Sequence, residues 1–343
     1  MARSVFRSPA RPRAVGGTGG GGARGAHRWY RTLLAALITA GLVAPLSAAA
    51  RPRVPAPPPA DLGPVTAATL DRAYAANRAN AAEAARMAAD HGDRRRAAVE
   101  RAMAEDPARQ LLAFDGRGAG RATEVFGDLA RADRVAVLVP GSDTHLDSYG
   151  RLRAAAAHLH ERLGRQAPPG VRTAVVAWLG YETPGTVSTS VTTTTRAEES
   201  APGLRTFVTL LHTLTGGNAR VALLCHSYGS VVCASAAPGL DVADLVLVGS
   251  PGTGTDTAAG LRTSARVWAG RGADDWVADV PHLKAELFGT TVGFGTDPMA
   301  PAYGARRFDA GSGGHSDYFA PGSAALTNLT RIVLGASAEV DHA

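Results

Sequence analysis

The stretch VALLCHSYGSVV, residues 221 to 232, decides the fold. An unbroken apolar run, VALLC, ends at His226, and a run of small residues, GSVVCASAA, follows Ser227 and Tyr228. A strand with no polar alternation is buried on both faces, which calls for a parallel sheet covered by helices. The small-residue run continues as a helix, so Ser227 sits in a tight strand-to-helix turn. Such a turn exposes its serine at the top of the sheet, and it needs small residues two before and two after, because their side chains crowd the turn. Gly229 supplies the second. Cys225 replaces the first, a compact but imperfect substitute. The pentapeptide C-H-S-Y-G is only moderately specific by itself, since a serine after a buried strand also serves as an ordinary helix cap.

The chain on either side repeats the pattern. Apolar runs at 111–114, 134–139, 173–178, 221–225, 244–249 and 265–270 read as strands, with a late RRF at 306–308. Between them lie helix-like stretches: LDSYGRLRAAAAHLHERLG, LRTFVTLLHTLT, the segment after Ser227, and SAALTNLTRIVLGA. Strands alternating with helices define an α/β domain over 111–343, mostly parallel, with helices on both faces. Ahead of it, residues 65–110 are rich in Ala, Arg and Glu without a sustained heptad, and read as a solvated helical segment packed on the main domain. RPRVPAPPPADLGP, residues 51–64, reads as an extended Pro-rich linker outside any core. The stretch 180–200 has no periodicity and reads as a long loop, either a plain surface connection or a mobile cover over the site.

Sites in such sheets lie beyond the carboxyl ends of the strands. A serine needs a base to take its proton and a carboxylate to orient that base, and in this class of fold they follow in the order Ser, acid, His. ARVWAGRGADDWV brings Asp274 and Asp275 just past a strand. Asp275 is favoured, because Asp-Trp-Val fits an Asp-x-Val pattern common after that strand, and Asp274 is the alternative acid. A polar turn holding two aspartates is the plainer account of the pair. His315, in the Gly-rich FDAGSGGHSDYF, can reach across the top of the sheet as the base. His226 is the serine's neighbour, and the turn is expected to point it away. An oxyanion needs fixed backbone N–H groups. Tyr228, directly after the serine, offers one, and the loop PGSDTHLDSY offers another from about Ser142, with Gly141 permitting close approach.

Taken in order, LLAFDGRGAGRATEVFGDL, VAVLVPGSDT, AVVAWLGYETP, HSYGSVV, VLVGSPGTG, DDWVA and GHSDYF resemble an actinobacterial α/β-hydrolase family of largely uncharacterised function, from about Leu111 to the carboxyl terminus. The resemblance implies an α/β-hydrolase fold with Ser227, Asp275 and His315 as its triad, and it supplies no substrate. The expected activity is an acyl hydrolase acting on a carboxylic ester or thioester of a small molecule or lipid, with no cofactor and no metal. Two alternatives stay open: an amidase or peptidase of the same fold, and a non-catalytic cell-envelope binding protein on a hydrolase scaffold.

Charge excludes one class of partner. The net charge of +6 comes from the leader, because seven of the 36 basic residues and no acid lie in residues 1–50. The remaining 29 basic residues face 30 acids, so no nucleic-acid surface is implied. The apolar run Leu33 to Leu46, closed by small residues at Ala48 to Ala50, has the layout of a secretory signal. It reads as a signal peptide or an uncleaved membrane anchor over residues 1–50, giving a secreted or membrane-anchored protein that associates with membrane or cell wall through its amino terminus. Cys225 and Cys233 are the two cysteines. In an exported chain they can pair, or simply be two small buried residues.

Overall fold

A computed structural model describes residues 54–186, 188, 192–280, 285–287 and 290–343. The leader, and with it the signal or anchor reading, lies outside the described residues. The chain enters through two helices, α1 (Leu70–Asp90) and α2 (Arg94–Glu105), and then β1 (Gln110–Asp115) and β2 (Arg121–Phe126). Next come β3 (Arg134–Val139), α3 (Tyr149–Gln166), β4 (Thr173–Leu179), α4 (Thr195–Leu214), β5 (Arg220–His226) and α5 (Gly229–Ala236). The remainder is β6 (Asp244–Val248), β7 (Arg266–Gly270), β8 (Ala285–Leu287), β9 (Thr290–Val292), β10 (Arg306–Arg307) and α6 (Ala324–Leu334).

Eight strands form one sheet in the order β1-β2-β4-β3-β5-β6-β7-β10, while β8 and β9 make a separate antiparallel pair. From β4 to β10 all pairings in the large sheet are parallel, whereas β2 runs antiparallel to both β1 and β4. The alternation of side chains along the central strands divides the core in two. Val135, Val137, Val139, Leu223 and Cys225 face α4 and α5, packing with Leu204 and Leu211. Ala136, Leu138, Ala222 and Leu224 face α3 and α6, packing with Leu159, Leu163, Leu329 and Ile332. Each fully buried leucine among these contributes about 1.5–3 kcal/mol, so both helical layers are held by the strands' near-continuous apolar character.

Two readings of the sequence differ from the structure. β2, RATEVF, lacks a clean apolar pattern because Thr123 and Glu124 are buried in it. Glu124 is accommodated by Arg109, at 2.6 and 2.8 Å, and by Arg153 at 3.3 Å. α4 begins at Thr195 and runs through Pro202, so the irregular stretch ends well before residue 200. Pro202 is the eighth residue of this helix, beyond its first turn, so the Glu198 carbonyl lacks its i+4 backbone donor.

The helical segment is built into the same unit as the sheet. The Pro-rich stretch before it is extended yet packed: Val54 is buried with Ala88 and Ala97, and Asn80 donates to the Pro58 carbonyl at 2.8 Å. Among the described residues no helix is long and apolar enough to cross a membrane. Arg96 of α2 is buried and clamps the loop that leads into α3. It donates to Asp147 at 2.7 and 3.1 Å and to the carbonyls of Gly116, Gly118 and Ala119 at 3.0 to 3.3 Å.

One turn on, Glu100 is fully buried, and neither of its carboxylate oxygens is hydrogen-bonded among the described residues. Burial pushes its carboxyl up to about 7, outweighing the opposing pull of Arg96. A carboxyl raised on folding is penalised in its charged form, so stability falls as pH climbs from the ordinary 4.5 to about 7. Glu100→Gln is therefore expected to stabilise the protein by about 2 kcal/mol at pH about 8 and to show no such gain at pH about 4.5. Thermal unfolding at the two pH values measures the difference.

Candidate active site

The turn after β5 holds Ser227 at φ +54°, a left-handed conformation that a side-chain-bearing residue rarely adopts and that costs about 1–3 kcal/mol. Its amide donates to the Val248 carbonyl of β6 at 3.0 Å, and its carbonyl accepts from the Ser230 amide at 2.9 Å, fixing the turn at both ends. Close packing explains the two glycines nearby. A Cβ on Gly229 would lie 2.5 Å from the Val139 carbonyl oxygen, and one on Gly141 would lie 2.5 Å from the Ser227 Cβ. The loop after β3 thus presses directly on the serine, held there by the Tyr181 hydroxyl donating to the Pro140 carbonyl at 2.6 Å.

Cys225 fills the small-residue position two before Ser227 and has a second role there. It forms a disulfide with Cys233, joining the end of β5 to the second turn of α5 across the serine. The bond ties together the two elements whose junction sets the turn. Replacing both cysteines by alanine is expected to cost about 2 kcal/mol, read as a lower thermal midpoint under non-reducing conditions.

The acid and base segments meet beyond β7 and β10. His315 Nδ1 lies 2.9 and 3.0 Å from the two carboxylate oxygens of Asp275, which is buried. Asp274 is exposed on the surface beside it. The Asp275 carboxylate also accepts from the Val277 amide at 2.9 Å and from the Tyr318 hydroxyl. Burial alone would raise its carboxyl, but the donors His315, Tyr318 and Val277 together hold it below the usual carboxylate value. Gly249 makes room for this cluster, since a Cβ there would fall 2.7 Å from Asp275 Oδ2.

Two contributors escaped the sequence reading. His226, set aside as the serine's neighbour, packs against the loop that carries His315. Its ring lies 4.7 Å from that of His315, and its Nε2 donates to the His315 carbonyl at 2.7 Å. Burial, with the neighbouring His315 charge, pushes the His226 imidazole down to about 4, so it stays neutral and holds the loop from beneath. Tyr318, only three residues past His315, is the second, and its place in HSDY was the available signal. Trp276 also packs on the His315 ring, with centroids 4.8 Å apart.

Ser227 and His315 line one cavity of about 690 Å³, together with Gly141, Ser142 and Tyr228. That volume lies in the range of small-molecule sites. The Ser142 and Tyr228 backbone N–H groups have no backbone acceptor among the described residues. Ser227 and His315 make no hydrogen bond to each other in this conformation, a contact that often tightens only with substrate bound. All five segments meet at the carboxyl ends of the parallel strands, where this sheet type collects its ligands.

This is the α/β-hydrolase fold. Residues 115–285 match the family model described as Alpha/beta hydrolase. Its relatives include an uncharacterized protein of Mycobacterium tuberculosis (strain ATCC 25618 / H37Rv), 32% identical over 260 residues, or 65% of this chain and 38% of that one. An uncharacterized protein of Mycobacterium bovis is 32% identical over 168 residues, 46% of this chain and 62% of that one. The chain therefore spans less than two thirds of the length of these relatives. Among solved structures, a serine hydrolase without lid from Xanthomonas campestris aligns at 15% identity and TM-score 0.40, over 66% of this chain and 92% of that one. Esterase PE8 aligns at 16% identity and TM-score 0.40, over 61% and 95%.

Proposed function

We propose that the protein is an exported serine hydrolase that cleaves a carboxylic ester or thioester through an acyl-enzyme. Ser227 Oγ attacks the acyl carbonyl while His315 Nε2 accepts its proton. Asp275 holds the imidazole through Nδ1–H and stabilises its charged form. The Ser142 and Tyr228 N–H groups receive the oxyanion, and Gly141 lets the loop come near enough for this. His315 then returns the proton to the leaving oxygen or sulfur, and a water molecule, deprotonated by the same ring, releases the acid. No metal or cofactor takes part in these steps.

The observation that carries the reading is the hydrogen-bonded His315–Asp275 pair, its carboxylate buried and its imidazole lining the same cavity as a serine held at positive φ. Export rests on the apolar leader Leu33 to Leu46, which delivers the chain across a membrane or, if retained, anchors it there. The Cys225–Cys233 bond supports the same compartment, because disulfides persist where the surroundings are oxidising. The test is turnover of a panel of nitrophenyl esters, thioesters and anilides. Ester and thioester hydrolysis is expected; cleavage of the anilides alone would move the activity to the amidase class, and no turnover by folded protein would overturn the proposal.

A further inference from the structure

The cavity extends well beyond the reacting groups, and its chemistry there changes. Leu152, Ala154 and Ala155 of α3 line it together with Phe319, Val277 and Trp276. Positions 151, 154, 155 and 158 recur at helical spacing, so one face of α3 forms a wall whose centre is two alanines. Ala154 is exposed and Ala155 partly buried, so both leave open cavity space, a channel that a leucine or phenylalanine side chain would occupy.

Three of the polar groups along this wall are already hydrogen-bonded within the protein. The Ser148 hydroxyl donates to the Asp143 carbonyl at 3.0 Å, His158 Nδ1 pairs with the Phe319 carbonyl at 3.1 Å, and the Asp143 carboxylate accepts from the Thr186 amide at 3.1 Å. Arg151, which also lines the cavity, is exposed at its solvent edge. A ligand in this part of the cavity is offered carbon rather than hydrogen bonds. A second observation points the same way. Trp276 is 52% exposed, the one large hydrophobic side chain left open to solvent among the described residues, and it stands at the cavity beside His315. Its indole adds apolar surface to the cavity lining next to the His315 ring.

We infer that this channel receives the long, unbranched apolar acyl chain of the substrate, laid along Ala154 and Ala155 and covered by Phe319 and Trp276. The inference rests on the ester-hydrolase reading and narrows it to medium- and long-chain acyl esters, converted with one water to the fatty acid and the free alcohol. Acetyl esters leave the channel and Trp276 wet and gain nothing from them.

The test is a chain-length series, nitrophenyl acetate, butyrate, octanoate and laurate, each below its aggregation threshold and normalised to the fraction of protein labelled by a fluorophosphonate. kcat/KM is expected to rise from acetate to octanoate by at least about ten-fold. Ala154→Trp and Ala155→Phe, which fill the channel, are expected to lower the octanoate-to-acetate ratio by about ten-fold. The same preference is expected in the rate at which nitrophenyl alkylphosphonates of matching length inactivate the unaltered protein, a measurement that does not depend on either variant folding. A flat or falling profile in protein that labels at Ser227 would overturn the inference while leaving the hydrolase reading intact. Absence of both labelling and turnover would overturn the two together.

Discussion

Ser227→Ala is expected to lower kcat for ester hydrolysis by about 10⁶-fold, because the nucleophile and its base act as a unit. Alanine has no oxygen to form the acyl-enzyme, so the residual rate is that of water attacking a substrate held in the oxyanion site, roughly 10³–10⁴-fold over the uncatalysed reaction. Ser227 sits at φ +54°, and alanine is strained there as well, so the parent and the variant share the backbone cost. Circular dichroism and thermal unfolding close to the parent's would confirm that the loss is chemical. A variant retaining more than a few per cent of parental turnover would place the nucleophile elsewhere.

Asp275→Asn has the second largest expected effect, about 10⁴-fold in kcat. The amide matches the carboxylate in shape but not in charge or acceptor capacity. Three donors, from His315, Tyr318 and Val277, converge on Asp275, and an amide has one oxygen to offer them. The His315 ring then loses the partner that fixes its tautomer. Asp274→Asn, made on the exposed neighbour, is expected to change kcat by less than about three-fold, in line with the small effects of surface substitutions. Comparable losses in both variants would contradict the assignment of the orienting acid. The pH dependence follows from the same geometry. The Asp275 carboxyl lies below its ordinary 3.8 in the fold, so what it contributes to stability is present above that value and is lost as pH falls through the lower folded one. Loss of activity at milder acidity than this is therefore not titration of Asp275.

Much of this was legible in the amino-acid sequence, for identifiable reasons. The central strands are buried on both faces, and that forces continuous apolar runs such as VALLC and RVAVLV that no other element requires. Ser227 and Asp275 follow such strands and His315 follows the short edge strand β10, so their order along the chain already carried their convergence at one end of the sheet. β2 was not legible, because Thr123 and Glu124 hide its burial pattern. Only the distant Arg109 and Arg153 make Glu124 tolerable there. The role of His226 was equally hidden, since it depends on the path of the loop around His315, and for Tyr318 the only local signal was its closeness to His315 in HSDY. Cys225 is the instructive case. Read against its neighbours it stands in for a glycine; in three dimensions its partner is Cys233, one strand end and two helical turns away. The solvated character expected of the helical segment holds for its outer face only, because Arg96 and Glu100 are buried against the loop that leads to α3.

The central claim is that Ser227 is the group made nucleophilic by His315 and Asp275. Labelling the purified full chain with a fluorophosphonate and mapping the adduct by peptide mass spectrometry tests it most directly. One adduct is expected, on the peptide carrying Ser227, with labelling slowed strongly in His315→Ala and abolished in Ser227→Ala. An adduct on any other residue, or equal labelling in the Ser227→Ala protein, would contradict the account.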